Sequence, residues 1–384
     1  MNGSMSLLSK RARYIVVTLI AAGAAFVPGL FGVRATTSLE AADTSPGSYL
    51  KGRVTAVESL EPLEGAEAVL QPFQEVTVRI SSGPEKGDEV RAVQYEEIVS
   101  GATSDLRPGD RVILLKTEID GTVEYAITDR YRIPSLLWVF LLFFLLAAVF
   151  GRWRGVTAIV GLMFSVGVLA LYVVPSILRG GNPLVVSVIG AVIIALFSLY
   201  LSHGFNRRTS VALLSTLITL CLSALLAVLF VSLARLSGFG SEEAFYLQVG
   251  FGDINMRGLL LGGIILGALG VLDDVTTAQA AVVEELKRAN ASLGFKELYR
   301  RGISVGVEHI ASLVNTLALA YFGASLPLFL LFTLDVYQPW WVTINGELVA
   351  EELVRTLVGS ASLVCAVPIA TLVAAHVFSR RRVS

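Results

Sequence analysis

The stretch Gly270-Val271-Leu272-Asp273-Asp274-Val275-Thr276-Thr277-Ala278-Gln279-Ala280 sets two adjacent carboxylates, two hydroxyls and an amide against a glycine-studded apolar run, Gly258 to Leu272. Ionisable groups beside hydrocarbon are costly, so by default they mark a functional site. Apolar character resumes at Val275, Ala278 and Ala280 to Val283, which lets a membrane span run past the aspartates. The plainer alternative is that Asp273 and Asp274 cap a helix where it leaves the bilayer.

A second group follows a short basic connection. Glu308 and His309 stand five or six residues into an apolar run that starts near Ile303, about 8 Å in at the helical rise per residue. Glu308, Ser312 and Asn315 share a helix face at i, i+4 and i+7, and His309 and Thr316 form a neighbouring line. The expectation is that these side chains project into the helix bundle. There they would meet Asp273, Asp274, Thr276, Thr277 and Gln279 at the inner end of two adjacent antiparallel helices. Carboxylates with hydroxyl and amide oxygens suit a hard divalent cation, with Asp273, Asp274 and Glu308 as its candidate ligands. An acidic cluster with a histidine suits a proton relay equally well. Alternatively, Glu308 and His309 pair locally or snorkel to the headgroups. No CxxC, HExxH or P-loop pattern occurs, and no cofactor other than such a cation is indicated.

The elements that must position these groups are membrane helices. Apolar residues make up 54% of the 384 and charged residues only 16%, with a mean hydropathy of +0.70. That composition excludes an ordinary soluble domain and fits a polytopic membrane protein. The net charge of −1 gives no reason to expect a nucleic-acid partner. Cys221 and Cys365 both fall inside apolar runs and read as packing residues, not as a disulfide or a metal pair.

Runs long enough to cross about 30 Å of hydrocarbon are Tyr14 to Val33, Ser135 to Phe150, Gly155 to Ser176, Asn182 to Ser202 and Thr209 to Ala234. Gly258 to about Val275, Ile303 to about Phe332 and Thr356 to Phe378 complete about eight transmembrane helices. If the N-terminus is cytoplasmic, the inner side carries Lys10, Arg11, Arg13, Arg152, Arg154, Arg207, Arg208, Lys287, Arg288, Lys296, Arg300, Arg301 and Arg380 to Arg382. The outer side then carries only Arg179, Arg235, Arg257 and Arg355. Fifteen basic residues against four place both termini inside. Ala280 to Asn290 reads as a separate short cytoplasmic helix with Glu284 set against Lys287 and Arg288. Residues 1–34 are expected to form an N-terminal anchor, with a cleaved signal peptide as the rival.

Residues 35–132 form the water-soluble part, on the extracytoplasmic side. Short alternating runs (Leu50, Val54 and Val57; Phe73, Val76, Val78 and Ile80; Val90, Val93 and Tyr95; Val112 and Leu114; Val123, Tyr125 and Ile127) are separated by turn signals. Five short strands suggest a small all-β barrel, OB-like or similar. It lacks a basic stripe with interleaved aromatics, so an interaction or gating role is expected rather than oligonucleotide binding. Residues 133–384 make up the seven-helix membrane domain. Within it, Ser215, Thr219 and Ser223, and the glycines 258, 262, 263 and 267, read mainly as helix-packing features.

Gly250-Phe251-Gly252-Asp253 matches the GxGD signature of intramembrane aspartyl proteases, with Asp273 as a second aspartate. Such a pair must share a water and a proton. Twenty residues of helix hold these two about 30 Å apart, so protease chemistry is the weakest reading.

The anchor, the β-rich segment and the seven-helix block around Gly267-Ala268-Leu269-Gly270-Val271-Leu272-Asp273-Asp274-Val275-Thr276 resemble the YibE/F-like bacterial membrane proteins. Gly302-Ile303-Ser304-Val305-Gly306-Val307-Glu308-His309 and Ser312 to Thr316 carry the same resemblance, which spans residues 45 to 375. It implies an integral multi-pass protein of the bacterial plasma membrane and does not imply a substrate. Two functions remain open. One is a gradient-driven transporter or ion-permeation protein, or one served by a separate ATPase subunit. The other is an envelope sensor or accessory factor whose β domain binds a partner. The lipid bilayer is the expected environment, with a homo-oligomer or a partner membrane subunit as candidate assemblies.

Overall fold

The computed structural model describes residues 47–59, 72–95, 106–119, 122–250, 252–327, 330 and 339–380. The expected first span, Tyr14 to Val33, lies outside the described residues. The chain divides into two compact units, one ending at Leu146 and the other continuing from Ala147.

The first unit contains the expected five strands. They are β1 (Ser48–Ser59), β2 (Pro72–Ile80), β3 (Glu89–Tyr95), β4 (Arg111–Ile119) and β5 (Thr122–Arg130). They close into a barrel in the order β1-β2-β3-β5-β4. Every pairing is antiparallel except β3 with β5, which run parallel at Val93 and Ala126. Period-2 alternation turns Val76, Val78 and Ile80 of β2 and Val112 and Leu114 of β4 inward onto Leu50, Val54, Ala92 and Leu106. Gly52 faces the Val78 side chain so closely that a Cβ there would collide with it. The register slips between Val54 and Ala56, a bulge that bends β1 around this tight core. On the barrel surface the Glu85 carboxylate accepts from Lys116 and, at 3.0 Å, from the Tyr125 hydroxyl. The Lys116 bond, followed by that from Tyr125, holds the Glu85 carboxyl below its usual range.

The helices follow. α1 (Ile133–Val168) continues through a π-helical turn (Leu169–Val173) into α2 (Val174–Leu178). Next come α3 (Pro183–His203), α4 (Arg207–Leu233) and the short α5 (Glu242–Gly250). α6 (Met256–Ala289), α7 (Phe295–Ala324), α8 (Trp340–Asn345) and α9 (Glu347–Ser379) complete the series. Among the described residues, six helical stretches are long and apolar enough to cross a membrane, the first of them, Ile133–Leu178, being the pair of helices parted at Arg152, so the protein is an integral multi-pass membrane protein. Asparagines set three of the starts. The Oδ1 atoms of Asn182, Asn206 and Asn255 accept from the first-turn N–H groups of α3, α4 and α6.

One expected boundary is corrected and one is kept. Ser135 to Phe150 and Gly155 to Ser176 are two helices, as expected, parted at Arg152, whose φ of 51° and ψ of −136° are not helical. No separate helix covers 280–290. α6 passes through Asp273 and Asp274 without interruption to Ala289, because Val275, Ala280 and Val283 keep its buried stripe going.

α3, α4, α6 and α9 form the packed centre, with α7 laid against α9 and α6. Val211 and Ala212 at the start of α4 pack with Ala280 and Val283 of α6 and with Ala374, Ala375 and Phe378 of α9. Ala227 and Val231 near its end pack with Leu260, Leu261 and Ile264 of α6 and with Val354 and Val358 of α9. α4 is therefore antiparallel to α6 and α9. This arrangement gathers Arg207, Arg208, Lys287, Arg288, Arg300, Arg301 and Arg380 at one end of the bundle, the basic end.

Candidate intramembrane polar site

α6 carries the first group of sequence-predicted residues at its middle, and each side chain there is settled by its neighbours. Thr276 is fully buried, and its Oγ1 lies 2.7 Å from Thr216 Oγ1 on α4. Gln279 is 1% exposed. Its Nε2 donates to the Gly302 carbonyl at 2.8 Å and to Thr371 Oγ1 at 2.7 Å, and Thr371 in turn donates to the Val367 carbonyl at 2.7 Å. One amide thus joins α6, α7 and α9.

Two glycines make that contact. A side chain at Gly306 would strike Val367 and crowd Gln279, and one at Gly302 would come within 2.7 Å of Thr371. Their spacing of four places both on the face that α7 turns toward α6 and α9. Thr216 stands nine residues into α4 from Arg207, about 14 Å along the axis. The Thr216–Thr276 level is therefore near the middle of a hydrocarbon layer of about 30 Å.

Asp273 and Thr277 are one turn apart on α6. Asp273 Oδ1 and Thr277 Oγ1 are both buried and have no hydrogen-bond partner among the described residues. Asp274, the next residue, is exposed. It shares the electrostatic neighbourhood of His203 with Arg154 and Arg208. The α3–α4 turn builds that neighbourhood. Gly204 reverses the chain at φ 78°, and Asn206 donates to the His203 carbonyl at 2.9 Å while capping α4.

The second predicted group is not brought to the first. Glu308, His309, Ser312 and Asn315 are all exposed on α7, and so is Thr316. The expectation that they project into the bundle is therefore corrected. The buried stripe of α7 is Leu298, Gly302 and Gly306. The glycines permit the closest approach to α9, and that decides which face turns inward. Among the described residues, no three His, Cys, Asp or Glu side chains are grouped so as to hold a metal ion. Asp273, Asp274 and Glu308 thus form no joint ligand set within one chain.

Protease chemistry is not assembled. Asp253 precedes α6 and Asp273 lies in its middle, about 25 Å further along the helix axis. Gly302-Ile303-Ser304-Val305-Gly306 has the letters of a nucleophile elbow, but it runs in continuous helix and offers Ser304 no strained turn. Cys221, exposed, and Cys365, partly buried, are both free thiols.

Sequence reasoning missed Thr216, Thr371, Gly302 and Gly306. Of the stripe it singled out, Ser215 and Thr219 bond back to their own helix through the carbonyls of Val211 and Ser215, and Ser223 Oγ is buried with no partner among the described residues. The neighbouring hydroxyl of Thr216 makes the cross-helix bond.

Residues 139–380 match the family described as YibE/F-like protein. No curated protein and no solved structure matches the chain.

Proposed function

The chain belongs to the YibE/F-like protein family, and we propose that it carries an inorganic cation or protons across the bacterial plasma membrane through a site built on Asp273. One observation carries this reading. Asp273 Oδ1 and Thr277 Oγ1 are buried within the membrane span α6 with no donor to satisfy them among the described residues, whereas the neighbouring Thr276 hydroxyl and Gln279 amide nitrogen are both engaged. A buried carboxylate oxygen without a partner is expensive. A cation or a proton supplies the missing positive charge, and the Thr277 hydroxyl one turn away adds a second oxygen.

Asp274 lies beside this site within electrostatic reach of His203, and its exposed position suits exchange with the adjoining aqueous face. On this reading both termini lie in the cytoplasm and residues 35–132 outside it. The support is the collection of basic residues at one end of the bundle against Arg179, Arg235, Arg257 and Arg355 toward the other.

The test is flux into proteoliposomes, with Mg²⁺, Mn²⁺ and an imposed pH difference as probes. Wild-type vesicles are expected to take up at least one of these above protein-free vesicles, and Asp273→Asn is expected to abolish that uptake. Wild-type vesicles indistinguishable from empty ones for all three probes would overturn the reading.

A further inference from the structure

α7 carries a seam that the described part of the chain leaves open. Val305, Glu308, Ser312, Asn315 and Leu319 follow one another at spacings of 3, 4, 3 and 4, the a/d repeat of a left-handed coiled coil. All five are exposed. Only 11% of the most apolar window of α7 is buried, against 56% for α6 and for α9. Depth makes this informative. Gly306 abuts Gln279, and Glu308 lies about 3 Å further along the axis, level with the buried polar layer of α6. A carboxylate, a hydroxyl and an amide at that depth are not left facing lipid.

We infer that a second copy of this chain packs its own α7 along this seam. All copies insert in the same direction, so the two helices are parallel and each seam residue meets its counterpart. The seam chemistry is self-complementary under that symmetry. The Asn315 amide carries both a donor and an acceptor and pairs with the Asn315 of the other copy, as the Ser312 hydroxyl does with its equivalent. The two Glu308 carboxylates meet as like charges, and each is offset by a donor, His309 of the other copy, one residue off the seam in a flanking position. Val305 and Leu319 close the two ends with apolar contacts. A different subunit would need an independently matched set of polar groups, which a second copy supplies through the symmetry itself. The inference rests on the α7 face alone and does not depend on what the membrane unit carries.

Cysteine cross-linking of the full-length protein in native membranes tests it. With Cys221 and Cys365 changed to alanine, single Val305→Cys, Ser312→Cys and Leu319→Cys variants are oxidised beside Val307→Cys, which is exposed but off the seam. The seam variants are expected to give a product of twice the chain mass in most of the protein, and Val307→Cys several-fold less. Wild-type protein in detergent is expected to have a mass that is a multiple of the single chain, lowered toward one chain by Asn315→Leu. Strictly monomeric wild-type protein would overturn the inference. So would seam cysteines that form no inter-copy product, or that cross-link to a polypeptide of another mass, because a different segment or subunit then covers the seam.

Discussion

Thr216 and Thr276, sixty residues apart in sequence, share a hydroxyl–hydroxyl hydrogen bond of 2.7 Å where both side chains are fully buried between α4 and α6. Within the membrane such bonds are worth about 0.6 kcal/mol on average and up to about 1.7. Thr216→Val and Thr276→Val should each lower the thermal midpoint of the purified protein by a few degrees at most. The double variant should fall less than the sum of the singles, since both lose the same bond. Strict additivity would show that the two hydroxyls act independently.

Asp273→Asn should separate function from folding. Its buried oxygen has no donor to strand, so the neutral isostere is expected to hold or raise the thermal midpoint while abolishing flux. Asp274→Asn, at an exposed position within electrostatic reach of His203, should slow flux less than the Asp273 change. A clear drop in stability for Asp273→Asn would instead make the carboxylate a structural group.

Gly306→Val forces a side chain into Val367 and Gln279. Overpacking of this kind costs about 1–3 kcal/mol, and here it also displaces the amide that links three helices. Sharply reduced recovery of folded protein from membranes is expected. Gln279→Leu should be milder, because it removes the donor without moving α7.

The barrel should lose stability in acid. Lys116, and after it Tyr125, lower the folded-state pKa of Glu85, so its stabilising contribution is present above the unfolded carboxylate value of about 4.3 and disappears as the pH falls through the lower folded value. Residues 45–132 expressed alone should give a β-type circular-dichroism spectrum. The acid transition of that fragment should be weaker in Glu85→Gln. An unchanged transition in the variant would assign acid sensitivity elsewhere.

Topology can be read with reporters. One that is active only outside the cytoplasm should be active when fused after Thr122 and silent after Asn290. The reverse pattern would invert the protein in the membrane.

The five strands and the apolar helices were legible because period-2 alternation and long apolar runs are local signals that burial enforces. Val76, Val78 and Ile80 point inward as their spacing required. Helix rotation was not legible. Glu308, Ser312 and Asn315 do share a face, but nothing local states whether that face turns inward. The decision fell to Gly302 and Gly306, whose missing side chains let α9 approach on the other side. The persistence of α6 beyond the aspartates was half visible in the apolar residues after Asp274. The partners of Thr276 and Gln279 are contacts made 60 and 92 residues away along the chain, and a single sequence offers no spacing rule for those.

Closure of the β1-β2-β3-β5-β4 ring has a consequence for recruitment. A sheet that ends in a free strand can capture an extended peptide by main-chain pairing, and the same edge exposes it to aggregation. Among its described residues this barrel offers no such edge, so whatever docks on the ring must recognise side chains. Exposed Tyr49, or the Lys51 ammonium held 4.7 Å above the ring of Tyr131, are groups of the kind such a partner would read. Selectivity at this domain would then change with point substitutions on its surface and be indifferent to the backbone beneath.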